Sequence, residues 1–511
     1  MTKVIKALTD EQFINLFFKS STSSNKIIKF CWISMTILSF TGLIFYTYGI
    51  YKKWNISPDI GFTIRKVLSH NIPMPAITIC DSIYPEQIQI DLPVHEYIYQ
   101  YGIGTKLPSL TSEEQNYLAL VMNTCGPHKL SHMAQNICTN RTEKNLIKLL
   151  KNAKHKTFFD ICEFREFKFV NCRKFLSRSL TDFGICDTIN IQGFNELFNK
   201  DAISEDFEIF RRSEISKFPD PESPLFNVSI DDNFDEIIWS LENGYKNNDD
   251  EVLPIRALKR NKIGVEMFFT KENARNTNMW FCRLMGRGYK IFIHLPNEVP
   301  TFLHKKHFLE YNTNRSFTVS AKIYKTSKDL QGYSPKVRGC YFEGEKVLKF
   351  FKSYTKTLCD FECMTNYTLK ICGCVKFSMP RTQDTPICDL DKVECYNNAM
   401  ITWPNVNDEN ELSDASSTCD CLDSCTNIEY DVKIEKTNAV YLPSQHGFLK
   451  TYSIFTVEFS SHIIEENINY IGYTFQNFVA DCGGLIGLFL GFSLLSIFEV
   501  FYRTLNAFLK L

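Results

Sequence analysis

Residues Asp481–Glu499 read DCGGLIGLFLGFSLLSIFE, close to the end of a chain of 511 residues. They belong to a longer apolar run, because Asp481 is the only charged residue between Asn467 and Phe498. One helix over that run would be about 48 Å long, whereas the hydrocarbon core of a bilayer is about 30 Å thick. Residues 467–498 therefore predict a membrane span that tilts, breaks or projects above the membrane.

A second apolar run lies near the other end of the chain. Phe30–Tyr51 contains 22 residues without a charge, which is long enough to cross a bilayer and too long for a cleavable signal peptide. We predict a transmembrane helix at 27–51. More lysines than acidic residues precede it, which favours a cytoplasmic segment at 1–26, although Lys52 and Lys53 reduce the asymmetry. With two spans, residues 499–511 form a short tail on the same side.

The interval 52–466 has the composition of an extracellular domain. Of the 19 cysteines, 17 lie between Cys80 and Cys425, and that density indicates an oxidising compartment. Strand-like runs such as 72–80 alternate with helix-like stretches such as 142–153, so we predict a disulfide-rich mixed α/β domain between two transmembrane helices. The Asn-X-Ser/Thr glycosylation candidates all lie in this interval, at Asn55, Asn140, Asn227, Asn314 and Asn366.

Composition and motifs exclude several classes of function. The formal net charge of −1 lacks the basic excess of a nucleic-acid-binding protein. His95-Glu96 has no second histidine at metalloprotease spacing, and the sequence contains neither a phosphate-binding Gly-rich loop nor a Gly-x-Ser-x-Gly elbow. We therefore expect no enzyme activity and no cofactor.

Ten cysteines crowd into one segment of the predicted extracellular domain. Close pairs of this kind can bind zinc, but Cys-x-Cys spacing is shorter than the usual zinc knuckle. Disulfides suit the compartment better and would stiffen the segment, either to transmit displacement or simply as a structural staple. The ten are Cys340, Cys359, Cys363, Cys372, Cys374, Cys388, Cys395, Cys419, Cys421 and Cys425.

The second span has the features of an ion pathway. Asp481 and Glu499 lie 18 residues apart, so an unbroken helix would place both carboxylates on one face about 27 Å apart, with Leu488 near that face. Copies around an axis would give an acidic ring at each end of an apolar conduit, although both carboxylates could instead sit at the headgroup boundaries. Glycines favour the first interpretation, because Gly487-x-x-x-Gly491 allows close helix packing and a local opening of the helix.

These residues resemble the degenerin/epithelial sodium channel family, which includes acid-sensing and pickpocket channels. The similarity is strongest in Asp481–Glu499, with Gly483-Gly484 and the Gly491-Phe492-Ser493 triplet. The ten-cysteine segment has the family's Cys-x3-Cys, Cys-x-Cys and Cys-x-Cys-x3-Cys order, and Pro75–Cys80 adds a further match.

The resemblance implies a subunit of a trimeric, sodium-selective, voltage-insensitive and amiloride-sensitive channel at the plasma membrane. By matching, Gly491, Phe492 and Ser493 form the selectivity filter, and Ala480 takes the position where a bulky side chain holds such channels open. The implied pore lining is Asp481, Gly484, Leu488 and Glu499. The implied partners are sodium ions, the lipid bilayer and two further subunits, identical or related, and no gating ligand is identified.

The same matching implies a set of disulfides. For the three cysteines left over, we expect Cys125 to pair with Cys138 and Cys282 to be free or intermolecular. The implied pairs are Cys80–Cys186, Cys162–Cys172, Cys340–Cys425, Cys359–Cys421, Cys363–Cys419, Cys372–Cys395 and Cys374–Cys388.

One departure from the family pattern keeps alternatives open. The family usually carries a His-Gly pair before the first span, where this chain has Ser20–Asn25, SSTSSN. The chain could therefore be a regulatory or poorly conducting subunit that needs a partner. Two other classes are an ATP-gated purinergic channel, which applied ATP would reveal, and an adhesion or ligand-binding receptor, whose function Asp481→Arg should leave intact.

Overall fold

The structure is a computed structural model of the chain, in which two compact units are distinguished. We call Met1–Thr63, Thr326–Arg338 and Ile468–Leu511 the helix-pair unit, and Ile64–Lys325 with Gly339–Asn467 the sheet unit. The structure describes residues 26–56, 58–80, 111–125, 138, 141–152, 158–164, 167–169, 176–210, 239–246, 254–257, 262–269, 288–310, 313–406, 419–438, 451–491, 498, 501–502 and 505.

The described residues form α-helices and strands that alternate along the chain, as the mixed α/β prediction requires. The helices are α1 (Lys26–Tyr51), α2 (Ser112–Cys125), α3 (Leu146–Asn152), α4 (Phe194–Leu197), α5 (Pro335–Arg338), α6 (Lys356–Cys372), α7 (Val393–Val406) and α8 (Phe475–Leu490).

The strands form two large sheets and two short pairs. The larger sheet has eight strands in the order β1-β17-β12-β16-β9-β3-β4, with β15 also paired to β12, and the smaller has the order β11-β10-β2-β6-β5. The strands are β1 (Ile60–Leu68), β2 (Ala76–Cys80), β3 (Phe158–Phe164), β4 (Phe167–Phe169), β5 (Leu176–Thr181), β6 (Gly184–Ile189), β7 (Trp239–Ser240), β8 (Gly244–Tyr245), β9 (Lys262–Phe269), β10 (Gly288–His294), β11 (Lys306–Glu310), β12 (Thr313–Thr326), β13 (Cys340–Tyr341), β14 (Asp423–Ser424), β15 (Thr426–Asn438), β16 (Thr451–Phe459) and β17 (Ile463–Ile471).

The core of the sheet unit joins the two large sheets. Ile77 and Ile291 from the smaller sheet belong to one buried cluster with Phe317 and Val457 from the larger one. Every residue of β2 and β10 is buried, which explains their nearly continuous apolar sequences, since a strand covered on both faces does not alternate.

A buried carboxylate ties three neighbouring strands of the larger sheet together. Glu466 on β17 forms ion pairs with Arg65 on β1 and with Lys325 on β12, the latter at 2.9 Å. Burial alone would raise the pKa of Glu466, but the hydrogen bonds from Arg65 and Lys325 outweigh burial and hold that pKa below its usual value. The carboxylate therefore stays ionised and keeps the three strands in register.

The cysteine-rich segment is built on two helices. The hydroxyl of Thr355 caps α6 by accepting a hydrogen bond from the backbone N–H of Leu358, and Gly373 ends the helix in the left-handed region with φ of 70°. Leu358, Phe361 and other residues of α6 enter a second core cluster. Glycine is required at position 373 because other residues rarely adopt that conformation.

A buried ion pair anchors the stretch that follows α6. The ammonium of Lys376 lies 3.0 Å from the carboxylate of Asp182, which also accepts hydrogen bonds from the Ser378 hydroxyl and the Phe302 N–H. Burial alone would raise the pKa of Asp182, but Lys376 and these donors keep it below the usual range. Asp182 is therefore charged in the folded protein.

Candidate pore-forming helices

The first apolar run forms a long helix, α1, which continues as a π-helix over Lys52–Ile56. Together they make 31 residues, none of them buried across the apolar window. By length and composition this helix can cross a membrane, and within the described residues it is the only one that can.

The second apolar run is continuous in composition, but the structure divides it between a strand and a helix. Its first residues, through Ile471, belong to β17, and α8 begins at Phe475. The Thr474 hydroxyl caps α8 by accepting a hydrogen bond from the Asn477 N–H. With 16 residues, α8 is about 24 Å long and therefore shorter than the hydrocarbon core.

Helix α8 ends where the proposed selectivity filter begins. Gly491 has φ of 67°, and its N–H bonds to the Gly487 carbonyl at 2.9 Å, which closes the helix with a left-handed cap. Of the alternatives that the sequence left open for residues 467–498, the structure shows a break, because α8 ends at Leu490. The alignment of Asp481 with Glu499 stays a prediction. Phe492, Ser493 and Glu499 lie outside the described residues.

The other predicted pore residues share an uncovered side of α8. Ala480, Asp481, Gly484 and Leu488 are all exposed, and Leu488 is exposed by 78%. Their spacing of three, four and seven residues places them along one side of the helix. A Cβ added to Gly484 would meet nothing within 4 Å, so this side of α8 is free to face water or further subunits.

A different side of α8 packs on α1. The ring of Phe489 fills the space over Gly42, where an added Cβ would lie 2.7 Å from it, and Tyr46 lies beside the same ring at 5.8 Å. Gly42 therefore allows close approach of the two helices, as small residues do in membrane helix pairs.

Aromatic contacts join the last residues that follow α1 to the first residues of α8. The ring of Trp54, in the π-helix, stacks on Phe478 with centroids 4.7 Å apart and contacts Phe475 at 5.6 Å. Its carbonyl accepts a hydrogen bond of 2.8 Å from the Tyr333 hydroxyl. Three chain segments of the helix-pair unit thus meet at Trp54. No spacing in the sequence indicated this residue.

The carboxylate of Asp481 has a partner that sequence reasoning also missed. The hydroxyl of Tyr473 donates a hydrogen bond of 2.6 Å to its Oδ2. The two residues lie eight positions apart and on different elements, so neither helical nor strand periodicity relates them.

Six disulfides are present among the described cysteines of the sheet unit, and all of them match pairs implied by the family resemblance. The ten cysteines of the crowded segment are all consumed, which leaves no thiolate there for zinc. The pair Cys162–Cys172 lies outside the described side chains, as does Cys282. The six are Cys80–Cys186, Cys340–Cys425, Cys359–Cys421, Cys363–Cys419, Cys372–Cys395 and Cys374–Cys388.

The expected pair between Cys125 and Cys138 is contradicted by a free, buried thiol at Cys138. Its Sγ lies 3.4 Å from the carbonyl of Gln115, near the beginning of α2, whereas Cys125 is the last residue of that helix. Ten helical residues separate these positions by about 15 Å. A disulfide requires Cα atoms within about 7 Å.

The predicted glycosylation sites differ in accessibility. Asn55 and Asn366 are exposed, whereas Asn314 is half-buried on β12. Asn140 and Asn227 lie outside the described residues. Asn55 and Asn366 therefore meet the steric requirement for a glycan, and glycosylation at all five positions stays a prediction.

Comparison with known proteins gives the family. A family model described as "Amiloride-sensitive sodium channel" matches residues 15–503, which is nearly the whole chain. The chain belongs to the amiloride-sensitive sodium channel family. This is a family of ion channels rather than of enzymes, and the chain is a cation-channel subunit. The motifs in Asp481–Glu499 and the cysteine order were sufficient to predict this assignment.

Individual relatives support the same family at low identity. Pickpocket protein 28 of Drosophila melanogaster is 22% identical over 90% of this chain and 71% of its own length. Sodium channel protein Nach of the same organism is 20% identical over 95% of this chain and 84% of its own length. Acid-sensing ion channel 2 of Rattus norvegicus is 29% identical, over 42% of this chain and 41% of its own.

Proposed function

We propose that the chain is a subunit of a sodium-selective, voltage-insensitive and amiloride-sensitive channel of the plasma membrane, which opens through changes in its extracellular domain. The observation that carries the proposal is the construction of α8. A carboxylate lies on its uncovered side at Asp481, and the helix closes with a left-handed glycine at Gly491, directly before Phe492 and Ser493.

Three copies of α8 around an axis would create the pore. The three Asp481 carboxylates would form an acidic ring that concentrates cations at the outer end. Residues 491–493 would form the narrow filter, where backbone carbonyls that no helix engages can replace water around an ion. Gly484 and Leu488 would line the conduit between these two levels, and Glu499 would provide a second acidic ring below.

The proposed topology follows from the two apolar runs. Residues 27–51 and 467–498 cross the membrane, residues 1–26 and 499–511 are cytoplasmic, and residues 52–466 are extracellular. The disulfides of the sheet unit support this orientation, because they form in an oxidising compartment.

Ala480 is the proposed gating position. It is exposed on α8 directly before Asp481, so a large side chain there would occupy the space between neighbouring pore helices. That space closes when three helices converge, and filling it therefore favours the open arrangement.

The test is the current carried by oocytes that express the chain with Ala480→Phe or Ala480→Val. We expect a sodium current that amiloride blocks, with a reversal potential that follows external sodium. Val479→Phe is the matched control, since it places the same aromatic side chain one position away. Asp481→Arg in the Ala480→Phe background should abolish the current.

The outcomes separate the alternatives. The missing His-Gly pair favours a subunit that conducts poorly by itself. In that case current appears only when a related subunit is co-expressed, and it still responds to Ala480→Phe. A surface-expressed Ala480→Phe chain that stays silent with every related subunit, or that passes current only in response to ATP, would refute the proposal.

A further inference from the structure

The hydroxyl of Tyr473 reaches a residue that faces the proposed pore. Tyr473 lies in the linker between β17 and α8, and it donates its 2.6 Å hydrogen bond to Asp481 in the second turn of α8. A phenol hydroxyl that donates to a carboxylate makes a charge-assisted hydrogen bond, which is stronger than a neutral one.

The linker holds the Tyr473 ring in one place. On one side, the N–H of Gly472 bonds to the Asp59 carbonyl at 2.7 Å, and a Cβ at position 472 would lie only 3.0 Å from that oxygen. On the other side, Thr474 caps α8. Tyr473 itself is only 6% exposed. Its hydroxyl is therefore directed at Asp481 by the backbone and the packing together.

A lysine covers the ring of Tyr473. The Lys53 ammonium lies 4.8 Å from the ring centroid and 3.4 Å from Oδ2 of Asp59. A cation over an aromatic face is attracted to the ring, and its charge withdraws electron density from the hydroxyl, which makes that hydroxyl a better donor. Lys53 therefore supports the bond to Asp481 without touching it.

We propose that Tyr473 is a positioning residue of the outer pore, which restrains the Asp481 carboxylate and thereby weakens the binding of cations there. The inference rests on the proposed function, because Asp481 must face the ion pathway. The ligands are the hydrated metal cations of the external solution, above all divalent cations that bind carboxylates and obstruct monovalent flow.

The direction of the effect follows from competition for the carboxylate. A cation that binds Asp481 directly must share or displace the hydroxyl of Tyr473, so the hydrogen bond opposes binding. Hydrogen bonds to charged groups are stronger than those between neutral groups, and water replaces part of the interaction when the donor is lost. We expect removal of the donor to tighten cation binding about three- to tenfold.

The experiment compares Tyr473→Phe with Tyr470→Phe in the full chain carrying Ala480→Phe. Tyr470 is 42% exposed, three positions earlier, and its ring packs on Gly61, so Tyr470→Phe removes a hydroxyl without reaching Asp481. Tyr473→Phe should lower the external calcium concentration for half-block three- to tenfold. Tyr470→Phe should leave that concentration unchanged.

A double-mutant cycle separates positioning from packing. In the Asp481→Asn background, Tyr473→Phe should no longer change calcium block, because the restrained charge is absent. An equal effect of Tyr473→Phe in both backgrounds would overturn the inference, as would calcium block indistinguishable from that of Tyr470→Phe. In both cases sodium current flows, so the proposed function survives.

A binding measurement decides the matter if no version conducts. The full chain in lipid nanodiscs is titrated with terbium ions, a luminescent calcium substitute that nearby aromatic side chains sensitise. Luminescence from this site is the part of the signal that Asp481→Asn removes. In Tyr473→Phe, that luminescence should appear at a three- to tenfold lower terbium concentration. An unchanged titration overturns the inference, and absence of current with every related subunit refutes the proposed function separately.

Discussion

The cysteine-rich segment Cys340–Cys425 and the helix pair α1–α8 hold helices together by different means. In the first, α6 and α7 share buried side chains and are joined by the Cys372–Cys395 disulfide. In the second, neither helix has a buried residue, and the contacts include a ring over Gly42 and the stacking of Trp54 on Phe478.

The difference shows where each unit can change shape. A covalent bridge between packed helices excludes most alternative arrangements, because the chain cannot separate without breaking it. A few aromatic contacts contribute about 0.5 to 1.5 kcal/mol each beyond burial, which is small enough for a stimulus to overcome. We therefore expect the helix pair, rather than the cysteine-rich segment, to be the part that changes shape.

The largest expected effect comes from the disulfides of the cysteine-rich segment. The Cys340–Cys425 bridge spans 85 residues and the Cys374–Cys388 bridge spans 14, but the Cys359–Cys421 bridge lies inside the first loop and shortens its closed path. With that path taken as about 24 residues, loop entropy predicts losses of about 3.5 and about 3 kcal/mol in the free energy of unfolding when each pair is replaced by serine. Thermal unfolding of the solubilised full chain would measure both, and a larger loss for the shorter loop would contradict the entropic account.

The second effect concerns the buried ion pair that fixes the same segment. Lys376→Met leaves the Asp182 carboxylate buried without its nearest cation and should cost about 3 kcal/mol, the lower end of the usual range because Lys306 also acts on Asp182. Lys370→Met, on the exposed side of α6, is the control. A loss equal to that of the control would show that Asp182 does not depend on Lys376.

The pH dependence of that pair has a definite sign. The pKa of Asp182 is lower in the folded state than in the unfolded chain, so its stabilisation is present above the unfolded pKa of about 3.9 and is lost as the pH falls through the folded value. The cost of Lys376→Met should therefore shrink below about pH 4. A cost that stays constant down to pH 3 would contradict this assignment.

The third effect tests the non-covalent contacts between α1 and α8. Gly42→Val would force the Phe489 ring away from α1 and should cost about 1 to 2 kcal/mol, because that ring can move but its contact is lost. Gly49→Val is the matched control, since nothing lies within 4 Å of a Cβ there. Equal melting temperatures for the two variants would show that α1 and α8 do not depend on this contact.

The smallest expected effect on stability comes from a carboxyl group of the cysteine-rich segment, Asp360. Burial raises the pKa of Asp360 to about 6, with Asp423 adding to the rise and Lys356 opposing it. Since the folded pKa lies above the unfolded value, the protein should gain stability as the pH falls from about 7 to about 4. Asp360→Asn should add about 1 kcal/mol at pH 7.5, discounted for partial exposure, and remove this pH dependence, whereas Asp391→Asn should not.

Much of the architecture could be predicted from local sequence. The strand-like run at 72–80 overlaps β2, and the uncharged run at 30–51 lies within α1. Periodicity and charge fix these elements because each depends on neighbouring residues. The predicted helix at 142–153 is shorter than expected, since α3 begins only at Leu146.

The errors arose where distant residues or a single backbone conformation mattered. Cys138 was assigned to Cys125 by elimination, but α2 separates the two positions. The apolar run around Asp481 is continuous in composition, so hydrophobicity could not locate the end of α8. That end depends on the left-handed conformation of Gly491, and glycine only permits such a conformation without requiring it.

The sequence by itself determined the family, the two apolar runs and the cysteine order, because these depend on residue type and spacing along one chain. Only the tertiary structure decided that Tyr473 donates to Asp481, that Phe489 covers Gly42, and where α8 ends. Those features require two segments to meet in space with a set geometry. Hydrogen bonds and close packing depend on distances that no local pattern encodes.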